Sequence, residues 1–226
     1  PYKKASILSV DGFGDFASGS WGKGDGSSIA VEGQVNYPHS LGAFYQAITQ
    51  VIGFPNYGDE YKVMGLAPYG IPKYKSIILD NVITVKDDGS FKINMKYFDF
   101  ATDLKMTNKK FDNLFGAKRR NPETDHLTNF HMDIASSLQA VTEEIVLKIT
   151  KSIREEYKIE NLCMSGGVAL NCVANGKIVK NKVFEKIWIQ PASGDSGGSL
   201  GAALAYWHNE MGNERFSLKD AMKGSY

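Results

Sequence analysis

The chain has 226 residues, 42% of them hydrophobic and 23% charged, with a formal net charge of +1, the profile of a soluble globular protein of one large domain or two small ones. That charge gives no case for a nucleic-acid partner or an anionic membrane surface. With no run of 18 apolar residues and no signal peptide, neither a membrane span nor export is expected.

In chain order, Ala5–Val10 reads as a buried strand that ends in Asp11-Gly12-Phe13-Gly14-Asp15. Phe16–Trp21 and Ser28–Val35 read as two more strands, with Gly24-Asp25-Gly26 turning between them. Ser40 can cap a helix that places Leu41, Phe44, Tyr45, Ile48 and Val51 on one face, and Gly53 stops it. Gly58–Gly70 reads as a short helix closed by Gly and Pro. Residues 71–125 look irregular and are read as an insertion, with a hairpin formed by Val82–Val85 and Phe91–Met95 around Asp88-Gly89. The run Lys118-Arg119-Arg120 reads as a solvated loop. From about Asn129 to Tyr157 a long helix carries the stripe Ile134, Leu138, Val141, Ile145, Ile149 and Ile153. Strand Ile159–Met164, the turn Ser165-Gly166-Gly167, helix Val168–Lys180, strand Val183–Ile189, the glycine-rich turn Ala192–Gly198 and helix Ser199–Met211 complete the pattern. The order βββα, insertion, αβαβα predicts an α/β fold with a mixed sheet. Cys163 and Cys172, one on a predicted strand and one on a predicted helix, are expected to be free thiols in a reducing cytoplasm.

Three of the turns bear acids or glycines and follow predicted strands: Asp11-Gly12-Phe13-Gly14, Ser165-Gly166-Gly167 and Gly194-Asp195-Ser196-Gly197-Gly198. Paired glycines between a strand and a helix can bare backbone N–H groups to a phosphate or carboxylate. If the three strands are neighbours, Asp11 and Asp195 converge in front of the Ser165 loop. Two carboxylates beside a phosphate imply a divalent cation between them. Each element also has an ordinary reading: Asp11 as a hairpin turn, Ser165–Gly167 as tight α/β packing, Asp195 as a helix cap. His39, His126, His131 and His208 have no i, i+4 partner and read as structural.

Taken together, Ser9–Asp15, Gly58–Gly70, Met164–Cys172 and Gly194–Gly197, in that order, resemble the O-carbamoyltransferase family, that of nodulation protein U and the cephamycin and tobramycin carbamoyltransferases. The thirteen-residue block Gly58-Asp59-Glu60-Tyr61-Lys62-Val63-Met64-Gly65-Leu66-Ala67-Pro68-Tyr69-Gly70 is especially specific, and Asp15 departs from the Glu more usual in the family. The resemblance implies an actin/sugar-kinase-like (ribonuclease H-like) fold, of which this chain would be the second lobe, with an insertion at about 71–125. It implies that carbamoyl phosphate and ATP yield carbamoyl-adenylate, whose carbamoyl group passes to a hydroxyl of a small-molecule or sugar acceptor. By matching motif, Asp11 and Asp195 would be catalytic metal ligands, and Gly12, Gly14, Ser165, Gly166, Gly167 and Asn171 would line the phosphates. Asp59, Glu60 and Lys62 would meet the nucleotide's ribose or phosphates.

The family's metal-binding histidines would fall before Pro1 and its adenylate-forming domain after Tyr226, so the rest of the same polypeptide is the expected partner. The metal site would be half built here, holding Mg²⁺ or no ion in place of iron, and the chain alone is expected not to turn over. Two other readings stay open: an actin-like sugar-kinase lobe, and a non-catalytic nucleotide-binding domain.

Overall fold

The computed structural model describes residues 1–215; residues 216–226 lie outside the described part. In chain order the elements are β1 (Lys4–Gly14), β2 (Ala17–Asp25), β3 (Ser28–Asn36), α1 (Leu41–Val51), α2 (Glu60–Leu66), α3 (Lys75–Ile77), β4 (Ile83–Val85), β5 (Phe91–Ile93), α4 (Lys109–Phe115), α5 (Asn129–Tyr157), β6 (Asn161–Ser165), α6 (Cys172–Lys180), β7 (Lys186–Ile189) and α7 (Gly198–Ala205). They divide into two compact units: Pro1–Tyr37 with the described residues from Thr150 onward, and Pro38–Ile149.

The first unit is built on a five-stranded sheet of order β3-β2-β1-β6-β7. β1, β2 and β3 run antiparallel through two tight turns, whereas β1, β6 and β7 are parallel neighbours. The expected α/β class and mixed sheet are therefore present. Alternation along β1 and β6 buries Leu8, Val10, Leu162 and Met164 on one face and leaves Ile7, Ser9, Cys163 and Ser165 half-buried on the other. The parallel register pairs Leu8 with Met164 and Ser9 with Ser165, so β6 ends beside Ser9 while β1 runs on through Asp11. The β1–β2 turn puts Asp15 at φ 56°, a left-handed conformation that Asp tolerates better than most residues.

The second unit shows how local signals become a core. Ser40 caps α1, its hydroxyl accepting from the Ala43 amide at 2.9 Å. Leu41, Phe44, Tyr45, Ile48 and Val51 are all buried. On α5, Ile134, Leu138, Val141 and Ile145 are fully buried, and the Tyr45 hydroxyl donates to Gln139 at 2.9 Å. Residues 71–125 are more ordered than their sequence suggested. Phe98 packs against Phe44 and Phe111, Phe111 against Phe115, and Phe115 against Tyr74, with ring centroids 4.7–6.2 Å apart. The expected hairpin is present as β4 and β5, pairing Ile83 with Ile93.

Arg120, expected in a solvated loop, is instead buried. Its guanidinium donates to the carbonyls of Ile52 (2.7 Å), Asp125 (2.8 Å) and Gly53 (3.3 Å), capping the C-terminal end of α1.

Candidate functional site

β1 carries its acid on an irregularity. Val10 pairs with Gly19 and Gly14 with Ala17, so Asp11, Gly12 and Phe13 face Ser18 alone. Such a bulge breaks the alternation of the strand and re-aims side chains, here at the C-terminal end of the first parallel strand. The Asp11 carboxylate accepts from the Gly12 amide at 2.7 Å.

The two glycines after β6 do different work. Gly166 has φ 88°, and a Cβ there would collide with the Val10 carbonyl, so only glycine lets the chain cross β1 this closely. Its amide donates to the Ser193 carbonyl at 2.7 Å and is not available to a ligand. Gly167 opens a 3₁₀ turn, Gly167–Leu170, in which the Ala169 amide reaches back to Gly166; the amides of Gly167 and Val168 have no acceptor within the turn. A Cβ on Gly167 would lie 3.0 Å from Asp11 Oδ1, so turn and carboxylate touch.

The helix expected from Val168 begins instead at Cys172. Asn171, expected to line a phosphate, caps it: its Oδ1 accepts from the Ala174 amide at 3.0 Å. Any anion held here would meet the 3₁₀ turn rather than an α-helix terminus.

β7 delivers the third turn. Gln190 continues the parallel pairing, its amide donating to Met164 at 3.1 Å, and its side chain accepts from Ala192 at 3.0 Å. The loop then coils so tightly that a Cβ on Gly197 would strike the Ala192 carbonyl. Asp195 opens a short 3₁₀ turn, and Gly197 takes the cap position of α7.

A cleft of about 840 Å³ runs along the half-buried face of the sheet. Asp11, Ser165, Gly166, Gly194 and Asp195 all line it, together with apolar Ile7, Trp188, Leu200 and Leu204. Gly167 reaches the group through its contact with Asp11. Gly12 supports Asp11 through its amide, whereas Gly14 closes the bulge and is not among the lining residues.

One lining residue had not been singled out. Ser193 is only 4% exposed, and its Oγ has no hydrogen-bond partner among the described residues. A buried hydroxyl left unsatisfied costs about 1–3 kcal/mol. Its turn was visible in the sequence; its burial was not.

Asp59, Glu60 and Lys62 belong to the second unit. Asp59 is buried, with Oδ1 2.6 Å from Lys62 Nζ and Oδ2 accepting from the Asn56 amide (3.1 Å) and side chain (3.3 Å). The Lys62 ammonium holds the Asp59 carboxyl below its ordinary range, and Asp59 raises Lys62 in return. These two satisfy one another, leaving half-buried Glu60 in the first turn of α2.

Whether the cleft suits a divalent cation depends on its donors. No group of three or more His, Cys, Asp or Glu suited to a metal occurs among the described residues. Two carboxylates with phosphate oxygens and water are the donor set of a hard cation such as Mg²⁺, which commonly takes one or two protein carboxylates beside a substrate phosphate. Among the described residues one imidazole, His208, lines the cleft, and its Nδ1 meets the Asn213 carbonyl at 2.8 Å; a site built on several imidazoles would need further ligands. Burial raises the Cys163 thiol above its ordinary pKa, the condition of an unreactive cysteine. No helix among the described residues is long and apolar enough to cross a membrane.

Comparison with known proteins adds a family and its relatives. The profile of the carbamoyltransferase N-terminus matches residues 1–204. The uncharacterized protein sll1178 of Synechocystis sp. is 52% identical over 100% of this chain and 37% of its own length. The nodulation protein NolO of Bradyrhizobium diazoefficiens is 32% identical over 95% of this chain and 40% of its own. The nodulation protein NolNO of Sinorhizobium fredii is 34% identical over 93% and 29%. The chain thus spans well under half the length of these relatives.

Proposed function

Since this chain belongs to the carbamoyltransferase family, matching its N-terminal region, we propose that its cleft holds the phosphate of carbamoyl-adenylate while the carbamoyl group passes to an acceptor hydroxyl. The observation that carries this reading is that Asp11, on the bulge late in β1, Ser165–Gly166, at the end of β6, and Asp195, in the loop after β7, line one cleft at three adjacent parallel strands. Ligands of open α/β sheets bind beyond the carboxyl ends of their strands. The sheet order, three antiparallel strands followed by two parallel ones, also supports an actin-like, ribonuclease H-like lobe.

In this reading the Gly167 and Val168 amides donate to phosphate oxygens. Asp11 is held for its task by the Gly12 amide and by the close approach of Gly167. Asp195 faces the same space from the β7 loop. A divalent cation, when bound by the two aspartates, would neutralise the charge that develops on the phosphate. The acceptor oxygen bonds to the carbamoyl carbon, the bond from that carbon to the phosphate oxygen breaks, and the hydroxyl proton leaves to solvent. AMP departs with its phosphate held by fixed dipoles that need no reorganisation, which is where the acceleration arises. ATP and carbamoyl phosphate are the sources of the adenylate, and the acceptor is a small molecule or sugar bearing a hydroxyl.

Calorimetric titration with AMP tests this. Wild type should bind AMP more tightly with Mg²⁺ or Mn²⁺ present, and Asp11→Asn should remove most of that ion-dependent gain, about tenfold. A chain that binds no AMP, or an Asp11→Asn variant with unchanged ion dependence, would overturn the assignment.

A further inference from the structure

Buried hydroxyls in this chain are as a rule satisfied by nearby backbone. Ser18 donates to Val35 at 3.1 Å, Thr49 to Tyr45 at 2.9 Å and Thr142 to Leu138 at 2.9 Å, while Ser40 accepts from Ala43. Ser193 departs from that rule: it is buried like them, and its Oγ has no partner among the described residues. Among the described residues Ser6, Tyr157 and Asn175 also have a buried polar atom without one, but none of the three lines the cleft. Ser193 lines the cleft, and its carbonyl receives the Gly166 amide at 2.7 Å, which fixes its backbone against the turn that presents Gly167 and Val168.

We propose that Ser193 is a further anion-binding residue of the cleft, whose hydroxyl donates to an oxygen of the phosphate held at the Gly167–Val168 amides. This contact rests on the functional reading above and adds to it a donor on the β7 side. The proposal requires Oγ to rotate about χ1 from its enclosed position toward the ligand, while the backbone stays tied to Gly166. A donor that is unsatisfied until the phosphate arrives favours the bound state twice, because binding supplies its missing partner as well as a charged acceptor.

The consequence separates a ligand contact from a structural hydroxyl. In the 226-residue chain, Ser193→Ala should leave the ligand-free melting temperature unchanged or raise it by a few degrees, since an unsatisfied group is removed. At fixed Mg²⁺ the same variant should weaken AMP binding about tenfold, and adenosine, which lacks the phosphate, should bind it as it binds wild type. A fall in melting temperature would make the hydroxyl structural and overturn the proposal. So would unchanged AMP affinity, which would leave the wider reading of the cleft intact. If wild type itself binds no AMP, that wider reading fails first and this contact with it.

Discussion

Two glycine-bearing segments dominate the sequence, and the structure treats their polar groups in opposite ways. In the Gly58–Gly70 block the striking charges are satisfied locally: Asp59 takes Lys62 and two bonds from Asn56. Around Gly166, by contrast, the Ser193 hydroxyl has no partner among the described residues and the Gly167 and Val168 amides have no acceptor within their own turn, beside a cleft lined by Asp11 and Asp195. A specific motif therefore does not identify a ligand site by itself. Polar capacity that the fold leaves unsatisfied is the stronger sign.

The largest expected effect compares one glycine from each segment. Gly166 and Gly58 have nearly the same backbone, φ 88° and 86°, but a Cβ at Gly166 meets the Val10 carbonyl, whereas one at Gly58 meets nothing within 4 Å. Gly166→Ala should cost about 3 kcal/mol or more, from backbone strain and overpacking together. Gly58→Ala should cost only the strain, about 1–2 kcal/mol. Chemical denaturation of both variants measures the gap, and equal losses would remove the case that the β1–β6 crossing is built around glycine.

A smaller effect separates structural from ligand roles in the second unit. Asp59→Asn should lower the melting temperature, since it removes the partner of Lys62, and leave AMP affinity within about twofold of wild type. A tenfold loss of AMP binding at unchanged stability would support the nucleotide role that the family resemblance implies for Asp59.

These contrasts also mark what could be read from residues alone. Ser40 and the α1 stripe, the α5 stripe and the strands before each acidic turn were legible because burial imposes a period on the sequence. The neighbouring of β1, β6 and β7 could be posed only as a condition, since pairing depends on the whole sheet. Nothing local announces that Asp11 sits on a bulge, or that a 3₁₀ turn intervenes before Asn171 caps α6. Arg120 misled for a related reason. A run of three basic residues looks solvated, and only the folded chain shows that the third meets the exposed carbonyls ending α1.

The last prediction asks whether the second unit's polar groups are as structural as its geometry states. His131 Nδ1 accepts from the Thr128 amide at 3.0 Å, in the first turn of α5, much as the Glu or Gln of a capping box does. Burial first, then the Arg120 guanidinium, holds this imidazole below its ordinary pKa of 6.5. As pH falls, the unfolded chain therefore takes the proton before the native one. Stability is unaffected well above pH 6.5 and declines from there down through the lowered native value. Protonation also removes the acceptor, so the cap's contribution, about 1 kcal/mol, goes with it. His131→Gln keeps an acceptor without a titrating group. Melting curves between pH 7.5 and 5 should show a shallower loss for this variant than for wild type; identical slopes would mean that the cap is not what acid undoes.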